Sequence, residues 1–404
     1  MDMAIEKKGP LTKIRVIEIA NVLAGPFCAN LLADYGADVI KIEMPGTGDP
    51  FREMLPKING ESVRWPTVAR NKRCITLDLK APEGKKIFLE LVKDADLVVE
   101  NFRPGTLDKW GIPFAEMKKV NPKVVLCHIS GYGQTGPYAP KAGFGTALTA
   151  FSGFTAITGY ADRPPYSPSL AIADFLGGIF ACLGGLSAVL AIKTGVTDEG
   201  QEIDATLYEP LLRLQEGHVT EYGLDGTVHV RAPMDNSVAC PVAALKCKDG
   251  KFVVLVASTQ RTWERCAELV GGTEFRDDPR FATNPLRMEH VEEVMAPIEA
   301  FVAARDSKEV CDLFEGVGVP CCPIIEVDDM VKNEQYIARE SIIKAVHPRF
   351  GEINMPGIFP KFSGTPCEVS WIGPDMGAYN EEIFKGMLGY TDEQIAELKE
   401  KHVI

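Results

Sequence analysis

The sequence predicts an α/β protein in which a large, doubly wound, Rossmann-like parallel sheet is accompanied by a smaller α+β domain. Three observations carry that expectation. Over residues 14–129 short β-branched runs alternate with amphipathic stretches of helical length, as strand-helix-strand units do. A long apolar run rich in paired glycines follows, and past Gly223 the pattern changes to two apolar runs around Asp249-Gly250, a hairpin signal.

IRVIEIA, ADVIKIE, RCITLDL, ADLVVENF and KVVLCHI have strand length and composition, and PEGKKIFLELVKDA is an amphipathic helix between two of them. A ligand of such a sheet belongs beyond the carboxyl ends of its strands. The run SLAIADFLGGIFACLGGLSAVLAIK is apolar from Leu170 to Ile192 except for Asp174 and Ser187. It has the length of a membrane span but no aromatic belt or Lys/Arg cluster at its ends. Its glycine pairs, Gly177-Gly178 and Gly184-Gly185, fall two turns apart on one face. A second backbone can approach there, which predicts a buried helix of a soluble protein.

Asp174 stands where that helix should begin. One account makes it an N-cap, accepting from free backbone N–H groups. The other makes it a desolvated carboxylate kept ionised by the helix dipole and able to act as nucleophile or base. Further on, ACPVAALKCKDGKFVVLVAS supplies the hairpin, 261–317 is helical, 347–374 is rich in Pro and Gly, and Thr391-Asp392-Glu393-Gln394 is a capping box. The expected division is a large domain over 1–195, a linker at 196–229, a small α+β domain at 230–320, a second linker at 321–350 and a return to the large domain at 351–404.

The 404 residues carry a formal charge of -13 without any basic tract, so nucleic acid is not an expected partner. Eleven scattered cysteines show neither CxxC pairs nor Cys/His ligand spacing. They are expected to be the reduced thiols of a cytoplasmic protein, with no metal and no membrane partner. The N-terminus MDMAIEKKGPL lacks the apolar centre of a signal peptide.

The loops after the strands hold Lys41, Arg52, Arg70, Lys72, Arg73, Lys80, Arg103 and Lys109, a cationic rim suited to a phosphorylated or carboxylated ligand. A solvated charged rim would give the same pattern. The first loop has Gly25 but no GxGxxG, which excludes the usual dinucleotide cradle. His128, inside an apolar strand, is expected to be a satisfied core histidine.

A family resemblance rests on motifs in order along the chain: VIEIANVLAGPFCANLLADYGADVIKIEMPGTGDPFR, RNKRCITLDLKAPEGKKI, ADLVVENFRPGTLDKWG, SGYGQTGPYA, TGYADRPPYSPSLAIADFLGG and LGYTDEQIAELKEKHVI. From about Leu11 to Ile404 the sequence resembles the class III CoA-transferases, which include formyl-CoA, carnitine and benzylsuccinate CoA-transferases. The resemblance implies that Asp174 is a nucleophile passing through an aspartyl anhydride and an aspartyl-CoA thioester. It implies oxyanion stabilisation near Gly177 and Gly178, CoA thioesters as substrates, and no tightly bound cofactor. Succinyl-CoA is a candidate donor, and an organic acid is the acceptor.

By the same carry-over Leu23 and Ala24 line the entry. Asn71, Lys72, Arg73, Leu77 and Lys80 lie near the nucleotide, Asn101, Phe102, Arg103 and Lys109 border the phosphates and adenine, and Tyr132 lies by the pantetheine arm. Some members carry Gln at the position of Leu23 and a basic residue at that of Ser130, so those contacts are expected to be missing. Phe151, Phe154, Tyr160, Tyr166 and Met234 are aromatic or apolar candidates for the acceptor pocket, and Arg52 or Arg64 for a second carboxylate. Related α-methylacyl-CoA racemases carry Gly-His-Asp where this chain reads Gly143-Phe144-Gly145, and Phe144 cannot exchange a proton. A non-catalytic subunit of a heteromer is a further alternative. The family assembly implied is an interlocked homodimer, with the two linkers allowing one chain to thread the other.

Overall fold

The computed structural model describes residues 8–231 and 239–404, and these form two compact units. The larger takes the chain up to Thr155 together with Ser167–Thr227 and Glu334–Ile404. Its centre is a six-stranded sheet of β1 (Arg15–Glu18), β2 (Asp38–Glu43), β3 (Lys72–Thr76), β4 (Leu97–Glu100), β5 (Val125–Ser130) and β6 (Glu202–Thr206). Every pairing is parallel and the order is β3-β2-β1-β4-β5-β6. Ile17 of β1 sits opposite Ile40 on one side and Val98 on the other.

Strands β1, β2, β4 and β5 bury apolar side chains to both sides because both faces of the sheet are covered. Val16, Val39, Leu97 and Val125 face one core, which they share with helices α1 (Ala24–Asp34) and α4 (Ile172–Lys193). Their chain neighbours Ile17, Ile40, Val98 and Leu126 face the other, with helix α2 (Pro82–Val92) and the C-terminal Ile383, Phe384 and Leu398. A short helix, α3 (Gly145–Phe151), precedes α4 and packs on it.

α4 behaves as its glycines predict on one side only. Gly178 lies so close to α1 that a Cβ there would stand 2.7 Å from the Ala24 carbonyl oxygen, and Gly185 packs against Leu97. The opposite side keeps Ile179, Leu183 and Leu190 exposed at helical spacing. α4 is the one described helix long and apolar enough to cross a membrane, and 39% of its most apolar window is buried within the chain.

The smaller unit comprises Ala156–Tyr166 and Val228–Asn333. Strands β7 (Val242–Lys246) and β8 (Phe252–Val256) form the antiparallel hairpin turned at Asp249-Gly250, with Gly250 at φ +82°, and β9 (Cys321–Pro323) pairs on the far side of β8. Helices α5 (Gln260–Arg276), α6 (Val291–Ala303) and α7 (Ser307–Gly316) bury Trp263, Ile298 and Phe314 against that sheet. In the larger unit, α8 (Asp392–Glu400) begins with the expected capping box, Thr391 and Gln394 each accepting from the other's backbone N–H.

The expected linkers are ordered structure. Residues 196–229 include β6, the edge strand of the large sheet, because EIDAT hydrogen-bonds along β5 with its charges turned outward. Residues 321–350 include β9, which is sheet structure of the smaller unit, and a strand (Ile342–His347) paired with Gly351–Pro356.

Candidate active site

In this strand order the chain reverses direction across the sheet between β1 and β4, and a crevice opens where their following loops diverge. A cavity of about 210 Å³ fills it. Asn21 to Ala24 after β1, Asn101 to Pro104 after β4 and Ile129 to Gly131 at the end of β5 form its walls, and Asp174 of α4 reaches in beside Phe144 and Leu207.

Asp174 is the third residue of α4, whose N-cap is Ala171. Asp174 is therefore not the N-cap, although it accepts from a first-turn amide, its own. The carboxylate instead presses on the first residue of α3: a Cβ on Gly145 would lie 1.7 Å from Oδ2. Only glycine leaves this space to the oxygen. Burial pushes the Asp174 pKa up to about 6, against the pull of a hydrogen bond from its own amide. The group is therefore ionised at neutral pH but poorly solvated, which raises its nucleophilicity and basicity.

Of the sequence-predicted residues, the fold gathers Leu23, Ala24, Asn101, Phe102, Arg103 and Asp174 around one cavity. Asn101 accepts from the Asn21 N–H at 2.8 Å and donates to the Asn21 carbonyl at 2.7 Å, tying the β1 and β4 loops together. Ser130 lies in the wall as well. Lys80 and Lys109 are exposed beyond it, with the Lys80 ammonium 5.9 Å from the centre of the Trp110 ring. Tyr132 sits in an aromatic cluster with Tyr138, Phe151 and Tyr208, its ring centre 5.1 Å from that of Phe151.

Several expected rim cations are not on the rim. Lys72 is wholly buried, ion-paired with Glu18 at 2.8 Å and donating to the Pro26 carbonyl; Lys41 is equally buried between Glu18 and Asp49. Arg70 is locked by Asp34, and Arg73 spans Asp38 and Glu382. Arg52 binds Glu43 through two nitrogens and lies 3.8 Å over the Trp65 ring, so it is not free for a substrate carboxylate. Asn71 spends its amide on the backbone of Glu368 and Ser370, and Leu77 is core. Partners far away in sequence decide each case.

Gly177 and Gly178 also need correction. They lie beyond the first turn of α4, where amides bond within the helix, so they are not oxyanion donors. Their close contacts are Leu207 and the Ala24 carbonyl, which makes them a packing seam. Tyr160 and Tyr166 belong to the smaller unit, Phe154 packs on the core beneath α4, and Met234 lies outside the described residues. Arg64 is exposed at the start of a short helix, Trp65–Val68.

Sequence reasoning missed Asn21 and Lys141 in the cavity wall; the Lys141 ammonium stands 3.3 Å from the centre of the Tyr138 ring. It did place His128, which is clasped on β5 between Glu100 and Glu202. Burial opposes its charge, but the two carboxylates outweigh it and raise its pKa. Among the described residues no cluster of His, Cys, Asp or Glu could hold a metal ion.

A parallel sheet with a poorly solvated carboxylate in its switch-point crevice is an α/β fold with a candidate active site at that crevice. The family model of CoA-transferase family III matches residues 11–380. The chain is 41% identical over 398 residues to the succinyl-CoA–D-citramalate CoA-transferase of Chloroflexus aurantiacus, covering 98% of each chain. It is 36% identical over 399 residues to the succinyl-CoA–L-malate CoA-transferase beta subunit of the same organism, again covering 98% of each. A solved CAIB/BAIF family protein from Brucella suis superposes with a TM-score of 0.82 at 29% identity, over 94% of this chain and 100% of that one. This protein belongs to CoA-transferase family III and is an enzyme of CoA transfer.

The raised pKa of Asp174 has a cost in stability. Below the ordinary aspartate value, both folded and unfolded chains hold the proton and the group costs nothing. Between about pH 4 and about pH 6 the unfolded chain ionises first, and roughly 2–3 kcal/mol of stability is lost, a deficit that persists above that window. Asp174→Asn should abolish this pH dependence and be more stable than the parent at about pH 8 but not at about pH 4. Urea unfolding at the two pH values checks it; equal stabilities at both would show that the carboxylate is not desolvated.

Proposed function

We propose that this enzyme transfers CoA from an acyl-CoA to an organic acid with Asp174 as covalent nucleophile, succinyl-CoA being the donor class that its relatives' names point to. The observation that carries the proposal is the lone, poorly solvated carboxylate in the crevice, held against Gly145. An Asp174 oxygen attacks the donor thioester carbonyl, the C–S bond breaks, and CoA thiolate leaves an acyl-aspartyl anhydride. The thiolate then attacks the aspartyl carbonyl, releasing the donor acid and forming an aspartyl-CoA thioester. The acceptor carboxylate displaces thiolate from that thioester, giving a second anhydride. Attack of thiolate on the acceptor's acyl carbon yields the new acyl-CoA and returns the Asp174 carboxylate.

Every step exchanges one anionic nucleophile for one anionic leaving group, so no net proton moves. That suits a site with no proton-transferring side chain at Phe144. Holding thiolate and carboxylates in one cavity replaces bimolecular encounters by intramolecular ones. The residues proposed to border the coenzyme are Leu23, Ala24, Asn101, Phe102 and Arg103 in the cavity wall, with Lys80 and Lys109 outside it and Tyr132 toward the pantetheine arm.

Asp174→Ala and Asp174→Asn should lose transfer between succinyl-CoA and a carboxylic acid by about a thousandfold or more while still binding CoA. Transfer at the parent rate in either variant would refute the nucleophile. Exchange of the α-proton of a 2-methylacyl-CoA into deuterated water, without an acceptor acid, would support racemisation instead.

We further propose a homodimer. Ile179, Leu183 and Leu190 form an exposed apolar stripe that a second copy of the chain would cover, and two relatives bear the names of the beta and alpha subunits of a succinyl-CoA–L-malate CoA-transferase, which supports assembly of chains of this kind. Leu183→Glu with Leu190→Glu should convert a dimer to a monomer in sedimentation at micromolar concentration. A parent chain that sediments as a monomer, or a variant that remains dimeric, would contradict it.

A further inference from the structure

The loop Asn21 to Ala24 forms one wall of the Asp174 cavity, and its backbone is held from behind. Val22 adopts φ +67°, a left-handed conformation that a β-branched side chain disfavours. Such a residue persists only where its surroundings over-determine it. Here they do. The Ala20 carbonyl accepts from Lys41 Nζ at 3.0 Å, both backbone groups of Asn21 bond to Asn101, and the Val22 N–H donates to Asp49 Oδ1 at 3.0 Å.

Asp49 is itself fixed. Its Oδ1 also accepts from the Phe51 N–H at 2.8 Å, and Oδ2 lies 2.7 Å from Lys41 Nζ. Lys41 pairs in turn with Glu18 at 2.8 Å, and Glu18 with Lys72 at 2.8 Å. All four side chains are fully buried, two cations against two anions. A buried row of four charges of this kind is a costly way to gain stability, since apolar residues of equal volume commonly do as well. What it provides is a fixed acceptor at one point beneath a strained turn.

We infer that Asp49, held by Lys41, is a positioning residue: it locks the left-handed Val22 and so sets the wall of the cavity that faces Asp174. This rests on the assignment of that cavity as the site of CoA transfer. The role acts through backbone, so neither side chain needs to touch a substrate.

Two double variants separate positioning from charge and from folding. Lys41→Met with Asp49→Leu removes one cation and one anion, leaving the Glu18–Lys72 pair neutral, and also removes the acceptor for Val22. Lys41→Met with Asp49→Asn removes the same charges but keeps an acceptor oxygen. The leucine variant should lose kcat by about a hundredfold, as expected of a displaced site wall, with KM for succinyl-CoA within about threefold of the parent. The asparagine variant should recover most of that loss. Rates are expressed per site titrated with CoA, so unfolded protein does not count. If both variants have the same kcat, or the leucine variant keeps the parent kcat, the positioning role is overturned. An active Asp174→Asn would instead overturn the nucleophile, whatever the two double variants do.

Discussion

Everything at the site depends on one carboxylate being kept short of water. In bulk solvent a carboxylate is a weak nucleophile because its hydration must be stripped before it can attack. The fold removes that hydration in advance. It places Asp174 in the first turn of α4, presses it against a glycine that leaves no room for a side chain, and closes the crevice with loops from three strands. Burial accordingly raises its pKa to about 6, because the charge loses water that the protein only partly replaces. Ionisation at neutral pH survives, so the oxygen remains anionic where it is needed.

The sheet order makes such a placement possible. β1 and β4 are neighbours whose following loops part in opposite directions, and α4 is directed toward the gap by its close seam with α1. Seam and crevice are therefore one construction: glycines at 177, 178 and 185 let α4 lie close, which carries its first turn into the cavity. Behind the β1 loop, the buried quartet of Glu18, Lys41, Asp49 and Lys72 serves the opposite wall. One wall is positioned by the absence of side chains, the other by charge.

Much of this was legible in the sequence. The five strands over 14–129 announce themselves by β-branched runs, the hairpin by Asp249-Gly250 and the last helix by Thr391 and Gln394, while Asp174 stands out as the one acid in an apolar run without its role being readable there. β6 was not legible as sheet, because EIDAT is an edge strand carrying outward charges and reads as polar connection. Nor could the sequence tell a rim lysine from a buried one. Lys80 is exposed and Lys72 is not, and the difference lies in Glu18, more than fifty positions before Lys72. Gly145 was invisible for the same reason: its importance is a contact with Asp174, and only the packing of α3 on α4 creates it.

The most direct test follows an oxygen atom. In the proposed sequence of steps, the acceptor's carboxylate oxygen becomes the bridge of the second anhydride and stays with Asp174 when thiolate departs with the acyl group. After a single turnover with an acceptor acid labelled with oxygen-18 in its carboxylate, mass spectrometry of the peptide containing Asp174 should show one heavy oxygen, rising towards two over many turnovers, with none in a control lacking donor acyl-CoA. Complete transfer of CoA with an unlabelled Asp174 peptide would contradict a covalent route through this residue.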